Sequence, residues 1–85
     1  MSTDLSLERA FGSVLQRTRR KRGLSQEELG FESGYHRTYI SLLERGEKSP
    51  SLKTIFQISA ALDVSPSEIL ALVERQLADA NKGHD

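Results

Sequence analysis

The segment from Leu24 to Gly46 constrains the fold of this chain more than any other part of its sequence. Ser25 followed three residues later by Glu28 is a capping-box pattern, in which each side chain accepts a hydrogen bond from the backbone N–H of the other residue. Gly34 supplies a turn, because a residue without Cβ adopts positive φ at little cost. A glycine such as Gly46 typically ends a helix. The pattern predicts two short helices joined by a tight turn, the second running from about residue 35 to residue 45.

The two predicted helices separate apolar from polar side chains. Leu29 faces inward from the first helix, and Ile40 and Leu43 face inward from the second. The outward face of the second helix carries side chains that can hydrogen-bond to bases and phosphates: His36, Arg37, Thr38, Ser41 and Arg45. This arrangement is a helix-turn-helix, and it indicates DNA as the partner.

Apolar periodicity elsewhere in the chain is helical, and no segment alternates as a strand does. A first helix is predicted from about Leu5 to Arg22, ending at Gly23, with inward residues at helical spacing. Those residues are Leu7, Phe11, Val14, Leu15 and Thr18. A fourth helix begins near Ser51, because Pro50 disfavours helix in the residue before it. Its inward residues are Leu52, Ile55, Ile58 and Leu62.

The fifth helix has a clear start, since Ser65, Pro66 and Glu68 provide an N-cap, a proline at the first helical position and a carboxylate at the third. We predict a helix from Pro66 to about Ala78. The polar tail from Asp79 to Asp85 is expected to be flexible.

Five helices with short connections and no sheet predict an all-α fold, a compact five-helix bundle. The expected organisation is an N-terminal extension (1–6), one domain (7–78) and a tail (79–85). At 85 residues without cysteine, the chain lies near the lower size limit of self-supporting domains and has neither disulfides nor a thiolate metal site. No cofactor or metal is expected, and a partner subunit would add stability.

Charge and hydropathy narrow the function classes. No apolar run approaches the roughly 20 residues that span a bilayer, and the N-terminus lacks the apolar region of a signal peptide, so we expect a cytoplasmic protein. The net charge of zero is unusual for a DNA-binding protein, but residues 1–64 carry ten basic and eight acidic residues, against two and four in residues 65–85. A basic run precedes the helix-turn-helix: Arg17, Arg19, Arg20, Lys21 and Arg22. It is either a DNA-facing patch or a solvated helix face.

Several segments together resemble the phage-repressor helix-turn-helix family, the Cro/cI or XRE-like regulators. They are RTRRKRGLSQEELG, the turn glycine, RTYISLLERG and SPSLKTIFQISAALDVSPSEIL, in the family's order from about Phe11 to Leu70. The resemblance implies a DNA-binding transcription regulator. RTYIS followed by LLERG is also similar to the controller proteins of restriction–modification systems.

The resemblance implies roles for individual residues. Arg37 and Thr38 match positions that read base edges in the major groove, where arginine makes bidentate contacts with guanine. Ser41 and Leu42 lie one turn later on much the same face, and Leu42 either touches a thymine methyl group or fills a gap against the core. Gln26 matches a glutamine that binds a phosphate and braces the first residue of the recognition helix; the alternative is an ordinary residue at the first helical position.

Further matches concern phosphates and an ion pair. The phosphate-contacting positions are Arg45, Lys48, Ser49, Ser51 and Lys53. Tyr39 either hydrogen-bonds a phosphate or packs. Arg19 and Glu44 match a structural ion pair between the first and third helices, so Arg19 is not expected to bind DNA.

The fifth helix carries a wide apolar stripe. At about 100° per residue, its apolar residues cover an arc of about 160°, which exceeds what one contact with a small core requires. The surplus, Leu70, Val73 and Leu77, is predicted to pack against the same helix of a second copy. The alternative is a helix that lies deep in its own core.

Together these features predict a homodimeric transcription regulator that binds a palindromic operator in double-stranded DNA. An enzyme is not expected, because the sequence holds no HExxH, GxSxG or glycine-rich phosphate loop, and no small-molecule ligand is evident. The alternative is a protein-interaction module, an antirepressor or adaptor, that keeps the fold without specific DNA binding.

Overall fold

A computed structural model describes residues 5–82 of the chain. Within this range the backbone forms five α-helices and no strand, which confirms the predicted all-α architecture. The helices are α1 (Leu7–Lys21), α2 (Gln26–Ser33), α3 (Arg37–Glu44), α4 (Leu52–Leu62) and α5 (Pro66–Lys82). In this part of the chain no single helix is long and apolar enough to cross a membrane; α4 and α5 meet that criterion only when taken together, across a bend of 105°.

Reciprocal serine–glutamate pairs begin α2 and α5. Ser25 Oγ accepts from the Glu28 N–H at 3.0 Å, and the Ser25 N–H donates to the Glu28 carboxylate at 2.8 Å, which confirms the predicted capping box. Ser65 and Glu68 form the same pair at 3.1 and 3.0 Å. The backbone hydrogen bond from Ser25 lowers the pKa of Glu28, and that from Ser65 lowers the pKa of Glu68, because each stabilises the ionised carboxylate.

Two glycines determine how the first three helices meet. Gly34 ends α2 with φ of 86°, a conformation that favours glycine, and its N–H donates to the Gly30 carbonyl at 2.9 Å. Gly12 lies where α1 crosses α3: a Cβ there would be 2.4 Å from the carbonyl oxygen of Leu43 and 2.5 Å from that of Glu44. The two helices therefore pack with the backbone of α1 directly against the end of α3.

The core is built from all five helices. Its buried apolar residues are Ala10, Phe11, Val14, Leu15, Leu29, Ile40, Leu43, Ile58, Leu62, Ile69 and Val73. The inward placement predicted for Leu7 and Leu52 is wrong, since these side chains are 59% and 70% exposed. Both are the first residues of their helices. The apolar spacing extends to these positions, but within residues 5–82 no other helix covers them there. Thr18 is half-buried, and its hydroxyl donates to the Val14 carbonyl at 2.8 Å.

The last helix is longer than predicted. It continues through Lys82 instead of ending near Ala78, so residues 79–82 are helical and do not belong to a flexible tail. Gln76 ties α5 to α1, because its amide donates to Ser13 Oγ at 3.0 Å and its carbonyl accepts from Arg17. The predicted extension and tail fall partly outside the described residues, at residues 1–4 and 83–85.

Candidate nucleic-acid interface

The predicted helix-turn-helix consists of α2, the turn at Gly34 and α3. The carbonyl of Gly30 accepts from the N–H groups of Gly34 and Tyr35 at 2.9 and 2.8 Å, which closes the turn. The second helix begins at Arg37, two residues later than predicted, because His36 has an extended backbone and acts as its N-cap. His36 Nδ1 accepts a hydrogen bond from the Thr38 N–H at 3.0 Å.

The outward side of α3 brings together most of the residues predicted to contact DNA. Arg37, Thr38 and Arg45 are exposed, and Ser41 is half-buried. These four side chains line one shallow concavity with Gln26 from the start of α2. Ile40 and Leu43 on the same helix are fully buried. α3 therefore presents guanidinium and hydroxyl groups beside the Gln26 amide of α2, and groups of these kinds hydrogen-bond to base edges and phosphates. We call these five residues the recognition surface.

A buried ion pair lies behind the recognition surface. Arg19 Nε donates to the Glu44 carboxylate at 2.6 Å and its Nη2 at 3.0 Å, which confirms the predicted pair. The two side chains are 9% and 1% exposed. Arg19 also donates to the Leu24 carbonyl at 2.8 Å. Because its guanidinium is engaged inside the protein, Arg19 is not available to bind DNA.

Glu44 also holds Gln26. The Gln26 amide Nε2 donates to Glu44 Oε1 at 3.0 Å, and the Gln16 amide reaches the same oxygen at 3.4 Å. Gln26 thus braces the last residue of α3 and not the first residue, which the family resemblance had implied. Its phosphate contact stays a prediction, supported by its position in the first turn of α2, where backbone N–H groups have no acceptor within the helix.

A network of hydroxyl groups, which the sequence did not lead us to predict, links the turn to α4. Tyr35 Oη lies 2.9 Å from Thr54 Oγ1 and donates to Gln57 Oε1 at 2.6 Å. Thr54 is buried and also lies 2.9 Å from Ser51 Oγ. The signal available in the sequence was Thr54, a polar residue on the inward side of an apolar helix. The ring centroids of Tyr39 and Tyr35 are 5.0 Å apart. Of the two roles considered for Tyr39, this contact supports packing.

The predicted phosphate-contacting residues differ in how free they are. Lys48, Ser49 and Lys53 are exposed around the turn into α4. Ser51 uses its hydroxyl as the N-cap of α4, accepting from the Thr54 N–H at 3.1 Å. Arg45 forms an exposed ion pair with Glu47 at 3.3 Å, which a phosphate would have to displace or share.

Leu42 and the basic run have different surroundings. Leu42 is half-buried, and its base contact stays a prediction. Arg20 and Lys21 lie in the last turn of α1, where cations are stabilised by the helix dipole. Arg22, the C-cap, lies 3.5 Å from Asp63. These positions support the interpretation of the basic run before the helix-turn-helix as a solvated helix face.

The predicted dimer residues of α5 do not share one environment. Val73 is 3% exposed and belongs to the core, so its assignment to the apolar surplus is wrong. Leu77 is half-buried against the core. Leu70 is 41% exposed and lines a small apolar pocket with Leu7 and Ile55. On the other flank, Leu72 is 40% exposed and lines grooves against α1.

Three helices carry exposed apolar side chains near Leu70. Leu7 from α1, Leu52 and Phe56 from α4, and Leu70 from α5 are all substantially exposed. Leu52 and Phe56 lie one turn apart, beside Ile55, at the spacing that places helical residues next to each other. We call these four residues the apolar surface. Large apolar side chains exposed on a protein surface can mark sites of protein contact.

Comparison with known proteins identifies the fold with a family of regulators. The Helix-turn-helix family profile matches residues 15–69. The chain is 48% identical over 61 residues to the control protein C.BamHI of Bacillus amyloliquefaciens, a match that covers 71% of this chain and 75% of that protein.

Two solved structures have the same architecture. The restriction-modification controller protein C.AhdI from Aeromonas hydrophila is 43% identical with a TM-score of 0.70, over 72% of this chain and 92% of that one. The clp gene regulator ClgR from Corynebacterium glutamicum is 28% identical with a TM-score of 0.90, over 96% of this chain and 87% of that one. The sequence-based resemblance to XRE-like regulators and controller proteins is therefore confirmed.

Proposed function

This chain belongs to the helix-turn-helix family of DNA-binding transcriptional regulators, and we propose that it regulates transcription by binding a palindromic operator as a homodimer in the cytoplasm. The observation that carries the proposal is the recognition surface. It presents two guanidinium groups and two hydroxyls on the outward side of α3, together with the Gln26 amide from the start of α2. The inward side of α3 is fixed by buried leucine, isoleucine and glutamate side chains.

Sequence readout is assigned to the N-terminal part of α3. Arg37 and Thr38 are exposed in its first turn, the part of a recognition helix that meets base edges in the major groove. Arg37 would contact guanine through two hydrogen bonds, while Ser41 and Leu42 lie one turn deeper along the helix. An apolar edge at Leu42 suits a thymine methyl group.

Positioning on the DNA backbone is assigned to residues around both ends of the helix-turn-helix. Gln26 and Arg45 line the recognition surface itself, and Lys48, Ser49 and Lys53 are exposed around the turn into α4. Contacts of this type fix orientation without reading sequence. The local cluster of cations explains how a chain of zero net charge can bind DNA, because binding depends on where the charges lie.

Dimerisation is assigned to the apolar surface, centred on Leu70. A second copy would cover Leu7, Leu52, Phe56 and Leu70, four apolar side chains that are otherwise in water. Two recognition helices would then enter successive major grooves about 34 Å apart, which predicts half-sites one helical turn from centre to centre.

Likeness to C.BamHI and C.AhdI supports a narrower proposal, that the operator lies near restriction–modification genes. Mapping the selected operator onto the DNA around the gene for this chain tests it. An operator far from any such gene would contradict this narrower proposal and leave DNA binding intact.

The experiment is selection from a random duplex library with the purified protein at near-physiological salt. Enrichment of an inverted repeat with the predicted spacing would support both DNA recognition and the dimer. A single unrepeated half-site would keep DNA binding and contradict the dimer. If a folded protein enriched nothing, the interaction-module alternative would replace the proposal.

A further inference from the structure

We infer that His36 is an additional DNA-contacting residue, which donates a hydrogen bond from Nε2 to an acceptor on the DNA beside the site read by Arg37. The inference rests on the proposed DNA-binding function. It goes beyond the recognition surface, which does not include His36, and it assigns the imidazole two simultaneous tasks.

The first task fixes the chemistry of the ring. Nδ1 accepts the Thr38 N–H at 3.0 Å, so in this arrangement Nδ1 carries no proton. In the neutral imidazole the proton is then on Nε2, a tautomer that we assign from the hydrogen-bond partner. The cap therefore converts the far side of the ring into a donor with a defined position, while most N-cap side chains, such as serine, use their short polar group entirely at the helix end.

The second task follows from where the ring lies. His36 is exposed and immediately precedes Arg37. Both line a shallow concavity with Glu27, Phe31 and Tyr35, and Arg37 also belongs to the recognition surface. Arg37 thus lines both concavities, so a duplex that Arg37 contacts would pass close to the exposed His36 ring. Among the residues that the structure describes, the His36 side chain forms one hydrogen bond, the one that Nδ1 accepts from the Thr38 N–H.

The DNA offers acceptors of matching chemistry. Phosphate oxygens are hydrogen-bond acceptors in every DNA sequence. In the major groove the acceptors depend on the base: guanine O6 and N7, adenine N7 and thymine O4. A single N–H donor at the start of the recognition helix suits either source. The two sources predict different effects on sequence preference, which the test separates.

The test compares His36→Ser with His36→Ala. Serine keeps an oxygen that caps the helix but is too short to reach DNA, whereas alanine lacks both functions. We expect His36→Ser to retain the melting temperature of the wild type and to lose roughly tenfold in operator affinity. His36→Ala should lose the same affinity and also melt at a lower temperature.

A residue that acts only as a cap gives the opposite pattern. In that case serine would restore both stability and affinity, and wild-type affinity of His36→Ser would overturn the inference. If the wild type bound no DNA at all, the proposed function itself would fail and this inference with it. Repeating the library selection with His36→Ser identifies the acceptor: loss of preference at one position indicates a base, and uniform weakening indicates a phosphate.

Nitrogen NMR of the ring gives a readout independent of affinity. In a His84→Ser background His36 is the only histidine of the chain, so its ring signals are assigned directly. We expect an unprotonated Nδ1, a protonated Nε2, and a shift of the Nε2–H signal on adding operator. The opposite tautomer, or an Nε2–H signal unmoved by saturating operator, would overturn the inference.

Discussion

The two sides of α3 use similar residue types for opposite purposes. On the inner side, Arg19 and Glu44 form a buried pair in which each charge has several hydrogen-bond partners. On the outer side, Arg37 is exposed and shares a polar concavity with Thr38 and Ser41. An arginine thus stabilises the fold where its partner is within the protein, whereas the exposed Arg37 is available to a partner from outside, which we propose is DNA.

The largest effect should come from breaking the inner side. Arg19→Ala leaves the Glu44 carboxylate buried without its cation, and we expect a loss of about 3–5 kcal/mol in the free energy of unfolding. Denaturant titration followed by circular dichroism measures this loss. Arg20→Ala, an exposed change one residue away, is the control and should fall within about 0.5 kcal/mol of the wild type. Equal stability of the two variants would refute the difference between inner and outer arginines.

The outer side should respond in binding and not in stability. Arg37→Ala is expected to weaken operator binding by about 1–3 kcal/mol and to relax preference at one base pair, because a bidentate contact is lost. Fluorescence anisotropy with the operator and a single-base variant measures both effects. Lys53→Ala is the control, since loss of a phosphate contact should weaken all sequences alike and reduce the salt dependence. An Arg37→Ala protein with an unchanged preferred sequence would contradict this assignment.

The comparison extends to the two flanks of α5. Leu70→Asp should weaken dimerisation roughly tenfold or more, about 1.4 kcal/mol, while leaving the helical content unchanged. Leu72→Asp is the matched control, because Leu72 is equally exposed but lies on the flank toward α1. Sedimentation equilibrium measures both. If Leu72→Asp dissociated the dimer and Leu70→Asp did not, the interface would be on the other flank.

The smallest expected effect concerns exposed carboxylates, in contrast to the buried Glu44. The pKa of Glu28 is lowered in the folded state by the backbone hydrogen bond from Ser25. Its contribution is therefore fully present above the unfolded pKa and is lost as pH falls through the lowered folded pKa. The melting temperature of the wild type should fall relative to that of Glu28→Gln as the solution is acidified through the glutamate range. Glu27→Gln is the control, and an identical pH profile for all three proteins would contradict the prediction.

Features that depend on neighbours in sequence were predictable. The capping box at Ser25 and Glu28 involves residues three apart, and the turn at Gly34 needs only one residue without Cβ. The four α3 members of the recognition surface followed from a short helix with one apolar side, whereas Gln26 came from the family resemblance. The Arg19–Glu44 pair, by contrast, joins residues 25 apart and came from family resemblance, since no local pattern indicates it.

Features that depend on where a facing helix ends were not predictable. Periodicity placed Leu7 and Leu52 on the inward sides of their helices, but both side chains lie beyond the core and are exposed. The same limit placed Val73 in the surplus, because the width of an apolar stripe does not reveal how deep the helix lies. The Tyr35–Thr54 contact and the start of α3 at Arg37 depend on packing against α4 and on backbone conformation at one residue.

The end of α3 packs directly against the backbone of α1 at Gly12. The carbonyl oxygens of Leu43 and Glu44 occupy the space that a methyl group at Gly12 would need, and they belong to the last two residues of α3, the proposed recognition helix. Even alanine there would push the far end of α3 outward and tilt Arg37 relative to the groove. If α3 reads DNA as proposed, its angle of approach depends on the absence of a Cβ at Gly12, a residue of another helix.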